Sequence, residues 1–369
     1  MLASNLDKRK YKNVCLIESN SNIGQKIKVS GGAKCNITNE FVKAKNYLGD
    51  EKFAQDILSK FSKDDLLKFL NKNGIFPKIN SKIVKGTYFC STSQDVIDMF
   101  SLLTTYVKKF FNTKVLDISY EKDSFTIFTN KSNIKANKVV VASGGLSFSS
   151  LGASSIAFDI AQKFNHTIIK PEPALVGFTV QKEQFWFKDL SGLSLFVNIF
   201  IEDKKIEGNI LFAHKGLSGP AVLTSSLYWK KGKIKIDFLP NQDLEKLLTG
   251  NKNIGTALNL PKRFIKEFLK SINIEDKACS KLTEVDKESL KLLKSYEFSP
   301  AGNFGFTKAE VTKGGVDTNE INHISFESLK QKNLYFIGEC LDLTGELGGF
   351  NFQMVFSQAF LCAKALDQE

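Results

Sequence analysis

A chain of 369 residues, 42% apolar and 24% charged, is long enough for two cores and is neither a disordered nor a disulfide-stapled composition. No apolar run approaches the ~20 residues that span a bilayer, and no basic-then-apolar leader opens the chain, so a cytoplasmic protein without a membrane partner is expected. The net charge of +12 invites a nucleic-acid reading, but the only arginines are Arg9 and Arg263. The other basic residues are scattered lysines without the planar fork that clamps phosphate or reads guanine, so a nucleic-acid partner is disfavoured.

In chain order, Met1 to Leu6 reads as the last turns of a helix, and Val14-Cys15-Leu16-Ile17 as a strand closed by Glu18. A Gly/Ser/Asn-rich loop follows, from Gly24 to Asn39. Amphipathic spacing predicts helices over 52–61 and 63–73, the second stopped by Gly74, and a longer one over 93–111. Strands are expected at 114–120, 125–130 and 134–142. The last contains Val139-Val140-Val141-Ala142, an uninterrupted apolar run of the kind buried on both faces of a parallel sheet. Composition shifts after Pro171 and Pro173, where alternating segments at 195–201 and 233–238 suggest antiparallel strands and 242–248, 262–272 and 287–296 suggest short helices. Parallel-sheet character returns at Leu334 to Gly338 before a final helix over 352–366. The expected fold is α/β, a doubly wound Rossmann-like domain formed by 1–170 and 306–369, with an inserted, mainly β domain at 171–305 carrying a small helical patch.

Six cysteines lie far apart with no C-x-x-C, and only three histidines accompany them. Free thiols and no metal site are the expectation.

Chemistry concentrates in four blocks: Ser30-Gly31-Gly32-Ala33-Lys34-Cys35-Asn36-Ile37-Thr38-Asn39; Ser143-Gly144-Gly145; His214-Lys215-Gly216-Leu217-Ser218-Gly219-Pro220; and Gly338-Glu339-Cys340-Leu341-Asp342 with Gly348-Gly349-Phe350-Asn351. Singly, a Gly-Gly pair is a turn, His214 a core or loop histidine, and an acid after a strand a solvated residue. Their order carries more. A strand ending at Gly338-Glu339, an acid at Asp342 and a glycine pair opening a helix would set a carboxylate beside a polyol and helix N–H groups beside an electron-rich ring edge, as a flavin requires.

On these blocks the sequence resembles the BaiN-type, aminoacetone-oxidase-like family of NAD(P)/FAD-dependent oxidoreductases, over nearly the whole chain. The resemblance implies FAD as cofactor and NAD(P)H as co-substrate. It implies a ribose contact at Glu18, flavin-wrapping contacts from Ser30, Gly31, Gly32, Cys35, Asn36, Thr38 and Asn39, and a further cofactor contact at Lys26. Ser143, Gly144 and Gly145 would cross near the diphosphate. Asp342 would hold the ribityl chain, Gly349, Phe350 and Asn351 would meet the ring, and Gly338, Glu339 and Gly348 would be further cofactor contacts. The family's first block reads S-G-G-G-R-C-N-x-T-N, so Ala33 and Lys34 depart from it, as does the loop Gly152-Ala153-Ser154-Ser155-Ile156-Ala157 where the family commonly has a G-S-T-G-D-G-like sequence.

Only 17 residues precede Glu18 and none is glycine, so the glycine-rich turn that normally accompanies such an acid is not in the numbered chain. An N-terminally incomplete domain is the expectation. The leading function is an FAD-dependent oxidoreductase that passes hydride to a small substrate such as an activated C=C compound, or oxidises an amine, with His214 as candidate proton donor. The alternatives are a remnant that has lost its cofactor and, ranked last, a flavin-dependent RNA-modifying enzyme.

Overall fold

The computed structural model describes residues 1–80 and 84–368. The chain divides into two compact units, Met1–Pro173 with Ala309–Glu369, and Ala174–Lys308.

Among the described residues of the first unit, two strand pairs run in parallel register. Cys15–Ile17 lies beside Lys108–Phe110, and Val139–Val141 beside Leu334–Phe336. The Leu334–Phe336 strand is buried at every position, and Tyr335 and Phe336 are among the largest fully enclosed side chains. Around them the core gathers Phe53, Ile57, Phe125, Phe326 and Met354. The helix Glu51–Lys60 starts where Asp50 accepts the backbone N–H groups of Lys52 and Phe53. It buries Phe53, Ala54 and Ile57, spaced for one face. Ser62 and Asp65 cap each other at the start of Lys63–Lys72, which buries Leu66 and Leu70. The final helix, Phe350–Gln368, packs on both of these helices and on the strand Asn36–Asn39.

Two expectations change here. The stretch 93–111 is a helix only over Ser93–Leu103; Lys108–Phe110 is a strand, because pairing with Cys15–Ile17 outweighs local helical spacing. The loop 24–39 contains a short helix, Gln25–Val29, and the strand Asn36–Asn39, which pairs with Thr87–Phe89.

The second unit is built on a seven-stranded antiparallel sheet. Its order is Tyr296–Phe298, Ile234–Asp237, Ser194–Ile201, Lys204–Ala213, Gly216–Ser218, Phe178–Val180, Pro300–Asn303. One face carries an aromatic core of Phe187, Phe212, Phe238, Phe264, Phe268 and Phe298 with Trp186 and Tyr296 at its margin. The helix Lys262–Ser271 supplies Phe264 and Phe268. Helix 287–296 is shorter than its spacing suggests: Glu284–Leu290 is helical and Tyr296 already belongs to a strand.

One ion-pair cluster sets an acid limit for the first unit. Glu320 accepts from Thr167 N at 2.7 Å and Thr167 Oγ1 at 2.9 Å, and lies 2.6 Å from Lys330 Nζ. Burial raises its pKa, but these partners together outweigh that and pull it from an ordinary 4.5 to about 2. A carboxylate held below its unfolded value stabilises the fold above that value and ceases to do so as pH falls through the folded one. Urea melts should therefore lose stability between about pH 4.5 and about pH 2, and Glu320→Gln should flatten that stretch. An unchanged slope in the variant would remove Glu320 from the account.

Candidate cofactor site

The acid and the glycine loops sit at the carboxyl ends of the parallel strands, where open α/β sheets hold their ligands. Glu18 follows Cys15–Ile17 directly; its backbone N–H continues the ladder to Phe110 O at 2.9 Å. One carboxylate oxygen accepts from Asn20 N and Asn20 Nδ2, both at 2.9 Å. The other oxygen has no donor among the described residues. Asn20 also donates to Leu151 O at 2.9 Å, so the short turn Ser149–Leu151, which leads into the altered 152–157 loop, braces the acid. Gly152, at φ 93°, allows this: a Cβ there would come within 2.7 Å of Asn20 Nδ2.

Val139–Val141 and Leu334–Phe336, running in parallel, lead into Ser143-Gly144-Gly145 and Gly338-Glu339. Gly144 and Gly338 adopt φ 77° and 87°, and neither has a neighbour that an added Cβ would meet within 4 Å. Backbone is thus presented to open space at both strand ends. Gly145 is the opposite case, because a Cβ would lie 2.6 Å from the Thr312 side chain. Thr312 Oγ1 accepts from Leu146 N at 2.8 Å and Ser147 N at 3.1 Å, while Thr312 N donates to Glu339 Oε1 at 3.0 Å. The second Glu339 oxygen pairs with Lys26 Nζ at 2.5 Å. Gly338 N donates to Gln358 Oε1 of the final helix at 2.7 Å.

Sequence reasoning missed Thr312 and also Glu310. Glu310 is open to solvent yet ringed by protein, and that surrounding raises its pKa while the Lys26 ammonium opposes the rise. The signal was present in Glu310-Val311-Thr312-Lys313-Gly314-Gly315, a strand buried at every position of Val311–Val316.

Asp342 is half-buried. Burial raises its pKa first and the nearby Asp317 carboxylate adds to the rise, opposed by a hydrogen bond with the Gly314 backbone. At the start of the final helix, Gly348 and Gly349 adopt φ 117° and 96°, and Gly349 approaches Thr38 so closely that a Cβ would sit 2.4 Å from its carbonyl oxygen.

Several expected contact residues have committed side chains. Thr38 Oγ1 donates to Gln353 Oε1 at 2.6 Å, and Asn39 Nδ2 donates to the carbonyls of Lys85 and Gly348, each at 3.0 Å. Asn351 clasps both N and O of Gly345 at 2.8 and 2.9 Å. Phe350 is buried edge-on to Tyr47. Ser30 Oγ donates to Ile27 O at 2.7 Å. Cys35 is enclosed, with the neighbouring Cys90 thiol and burial pushing its pKa up. Thr38 and Asn39 thereby tie the 30–39 block to the final helix and its first turn.

Gly31, Gly32 and Ala33 all have left-handed backbone, Ala33 at φ 66°. An L-residue there costs about 1 kcal/mol relative to glycine. Ala33→Gly should therefore raise the midpoint of thermal unfolding by a few degrees, whereas a fall would show that the Ala33 methyl group is packed. Lys34 is exposed.

His214 belongs to the second unit, exposed at the turn between Lys204–Ala213 and Gly216–Ser218. Among the described residues no cluster of His, Cys, Asp and Glu is arranged to hold a metal ion, and no helix is long and apolar enough to cross a membrane.

An acid closing a parallel strand, glycine backbone open at two further strand ends and a half-buried carboxylate a few residues before a tight helix start suit a dinucleotide cofactor, and the first unit is of the Rossmann-like, FAD-binding type. The chain belongs to the HI0933-like protein Rossmann domain family, whose model matches residues 1–365. It is 35% identical over 382 aligned residues to a ribosomal RNA dihydrouridine synthase of Escherichia coli (strain K12), covering 99% of this chain and 95% of the relative. It is 33% identical to the ribosomal RNA dihydrouridine synthase of Haemophilus influenzae (97% and 93% covered). It is 28% identical to the 3-dehydro-bile acid delta(4,6)-reductase of Clostridium scindens (95% and 92% covered). The resemblance to BaiN-type flavoprotein oxidoreductases drawn from the sequence blocks agrees with this family match.

Proposed function

We propose that this protein is an FAD-dependent reductase that uses NAD(P)H to saturate the C5–C6 bond of uridine in ribosomal RNA. The observation that carries the reading is whole-chain identity of 35% and 33% to two ribosomal RNA dihydrouridine synthases. This reverses the order expected from composition, which ranked RNA last because arginine is scarce. A lysine contacts phosphate as a point charge and needs no fork to do so. The bile-acid relative supports the chemistry from another side, since both activities concern a carbon–carbon bond conjugated to a carbonyl. FAD, when bound, supplies the hydride chemistry.

In this reading the free oxygen of Glu18 accepts from the adenosine ribose. Backbone at Ser143, Gly144 and Gly145 borders the diphosphate. Gly338 and Asp342 face the ribityl chain, with Glu339 fixed by Lys26 and Thr312 as the support behind them. Gly348 and Gly349 let the final helix start close to the ring. His214 is the candidate proton donor to the substrate, and His214→Ala tests it through kcat.

The reading is tested by incubating the purified protein with NADH or NADPH and a ribosomal RNA transcript made in vitro, then measuring dihydrouridine by mass spectrometry. Flavin absorbance near about 450 nm, bleached by one of the nucleotides, together with dihydrouridine formation is the expected result. A flavin-loaded protein that is reduced but leaves uridine intact would overturn the RNA assignment, and turnover of a conjugated steroid ketone in its place would favour a small-molecule substrate.

Asp342 offers a sharper check on the site. Its carboxyl is held above its ordinary value, so ionisation at neutral pH costs the empty fold stability. Asp342→Asn should raise the melting temperature of the flavin-free protein and weaken FAD binding about tenfold, since a charged hydrogen-bond acceptor is removed. A variant that binds FAD as tightly as the wild type would remove Asp342 from the site.

A further inference from the structure

The turn that opens the final helix is fastened to one exposed aromatic side chain. Asn39 Nδ2 donates to Gly348 O and to Lys85 O, each at 3.0 Å, while Asn39 Oδ1 accepts from Phe41 N at 2.9 Å. Thr87 Oγ1 lies 3.3 Å from the same Gly348 carbonyl, and a Cβ on Gly348 would meet Val84 Cγ1 at 2.6 Å. The turn at Phe41 and the segment 84–87 therefore both border Gly348. Phe41 is nevertheless 49% exposed. Its ring lies against Gly86, where a Cβ would stand 2.8 Å from Cδ2 and from Cε2, so only glycine leaves the ring this position. Lys85 Nζ is 5.4 Å from the ring centroid. Lys85 is itself exposed and has no carboxylate partner among the described residues. Glu40, the acid next to Phe41, is already engaged by the Tyr88 hydroxyl at 2.7 Å and Lys63 Nζ at 3.3 Å.

We propose that Phe41 and Lys85 receive the RNA substrate at the border of the cofactor site, the ring stacking on a base and the ammonium contacting an adjacent phosphate. The inference rests on the RNA reading above. An unstacked base needs a flat apolar face, which Phe41 offers to solvent, and a phosphate needs only a point charge, which Lys85 supplies without an acid competing for it. Ring and charge are side by side, and Asn39 ties both to Gly348. A base held there lies at the helix start that the reading above brings close to the flavin ring. A conjugated ketone without a phosphate would have no use for the ammonium.

The test assays full-length, FAD-loaded protein for dihydrouridine formation over a range of ribosomal transcript and salt concentrations. F41A should raise KM for the transcript about tenfold, the worth of one base stacked on an aromatic ring, with a smaller effect on kcat. F41L keeps an apolar cover on Gly86 without a flat face and should match F41A, whereas F41Y should match the wild type. K85Q should raise KM and reduce its logarithmic salt slope by about 0.7, as expected when one phosphate is no longer neutralised. Thermal unfolding and FAD content of each variant report whether the scaffold survives. Wild-type KM in F41L shows that Phe41 only fills space and overturns the proposal. A raised KM for NADH or NADPH with an unchanged KM for RNA makes the pair a contact for the reductant and overturns it too. Absence of dihydrouridine with the wild type refutes the RNA reading itself, whereas dihydrouridine formed with wild-type KM by F41A refutes only the stacking assignment.

Discussion

Gly349→Ala should purify without FAD and melt far below the wild type. At φ 96° an L-residue already carries strain of about 1–2 kcal/mol. The larger cost is steric, because the new Cβ would meet the Thr38 carbonyl carbon at 2.6 Å and its oxygen at 2.4 Å. Both atoms are backbone, so no rotamer change relieves the clash. The final helix must move away from Asn36–Asn39, breaking the Thr38–Gln353 and Asn39–Gly348 hydrogen bonds that join them. The expected loss exceeds about 4 kcal/mol, the range reserved for core disruption. Gly32→Ala is the control: its φ is 64° but a Cβ there meets nothing within 4 Å, so only the strain is added. Thermal unfolding and flavin release are measured for both, and a Gly349→Ala protein that stays yellow and melts with the control would show that the helix start tolerates displacement.

Thr312→Val should cost about 3 kcal/mol in urea unfolding and loosen FAD binding. Valine keeps the shape of this fully buried side chain but removes the acceptor that serves Leu146 N and Ser147 N. Two backbone donors are then without a partner, each worth about 1–3 kcal/mol when left unsatisfied, less whatever water recovers at the loop. Thr312→Ser keeps the hydroxyl and should recover most of the loss. Equal stability of the valine and serine variants would mean that the loop after Gly145 is held by something other than this hydroxyl.

Much of the scaffold was legible because it is written in local periodicity. The burial of Phe53, Ala54 and Ile57, then of Leu66 and Leu70, follows directly from apolar spacing. Val139–Val141 and Leu334–Phe336 betrayed themselves as continuous apolar runs ending in glycine. What stayed hidden depends on partners distant in sequence. Lys108–Phe110 has helical spacing and becomes a strand only because Cys15–Ile17 lies beside it. Thr312 and Glu310 gain meaning only when the strand after the insert meets Gly145 and Lys26. The resemblance located the 30–39 and 348–351 blocks but not the division of labour within them, in which Thr38, Asn39 and Asn351 use their side chains to hold the scaffold.

The chain departs from the first unit along Ile168–Ala174 and returns along Val311–Val316, and these two strands pair. Exit and re-entry are therefore neighbours, and closing a loop between neighbouring points costs little more for a long insert than for a short one. Recombination at the two strands could exchange the whole intervening unit while leaving the cofactor machinery intact.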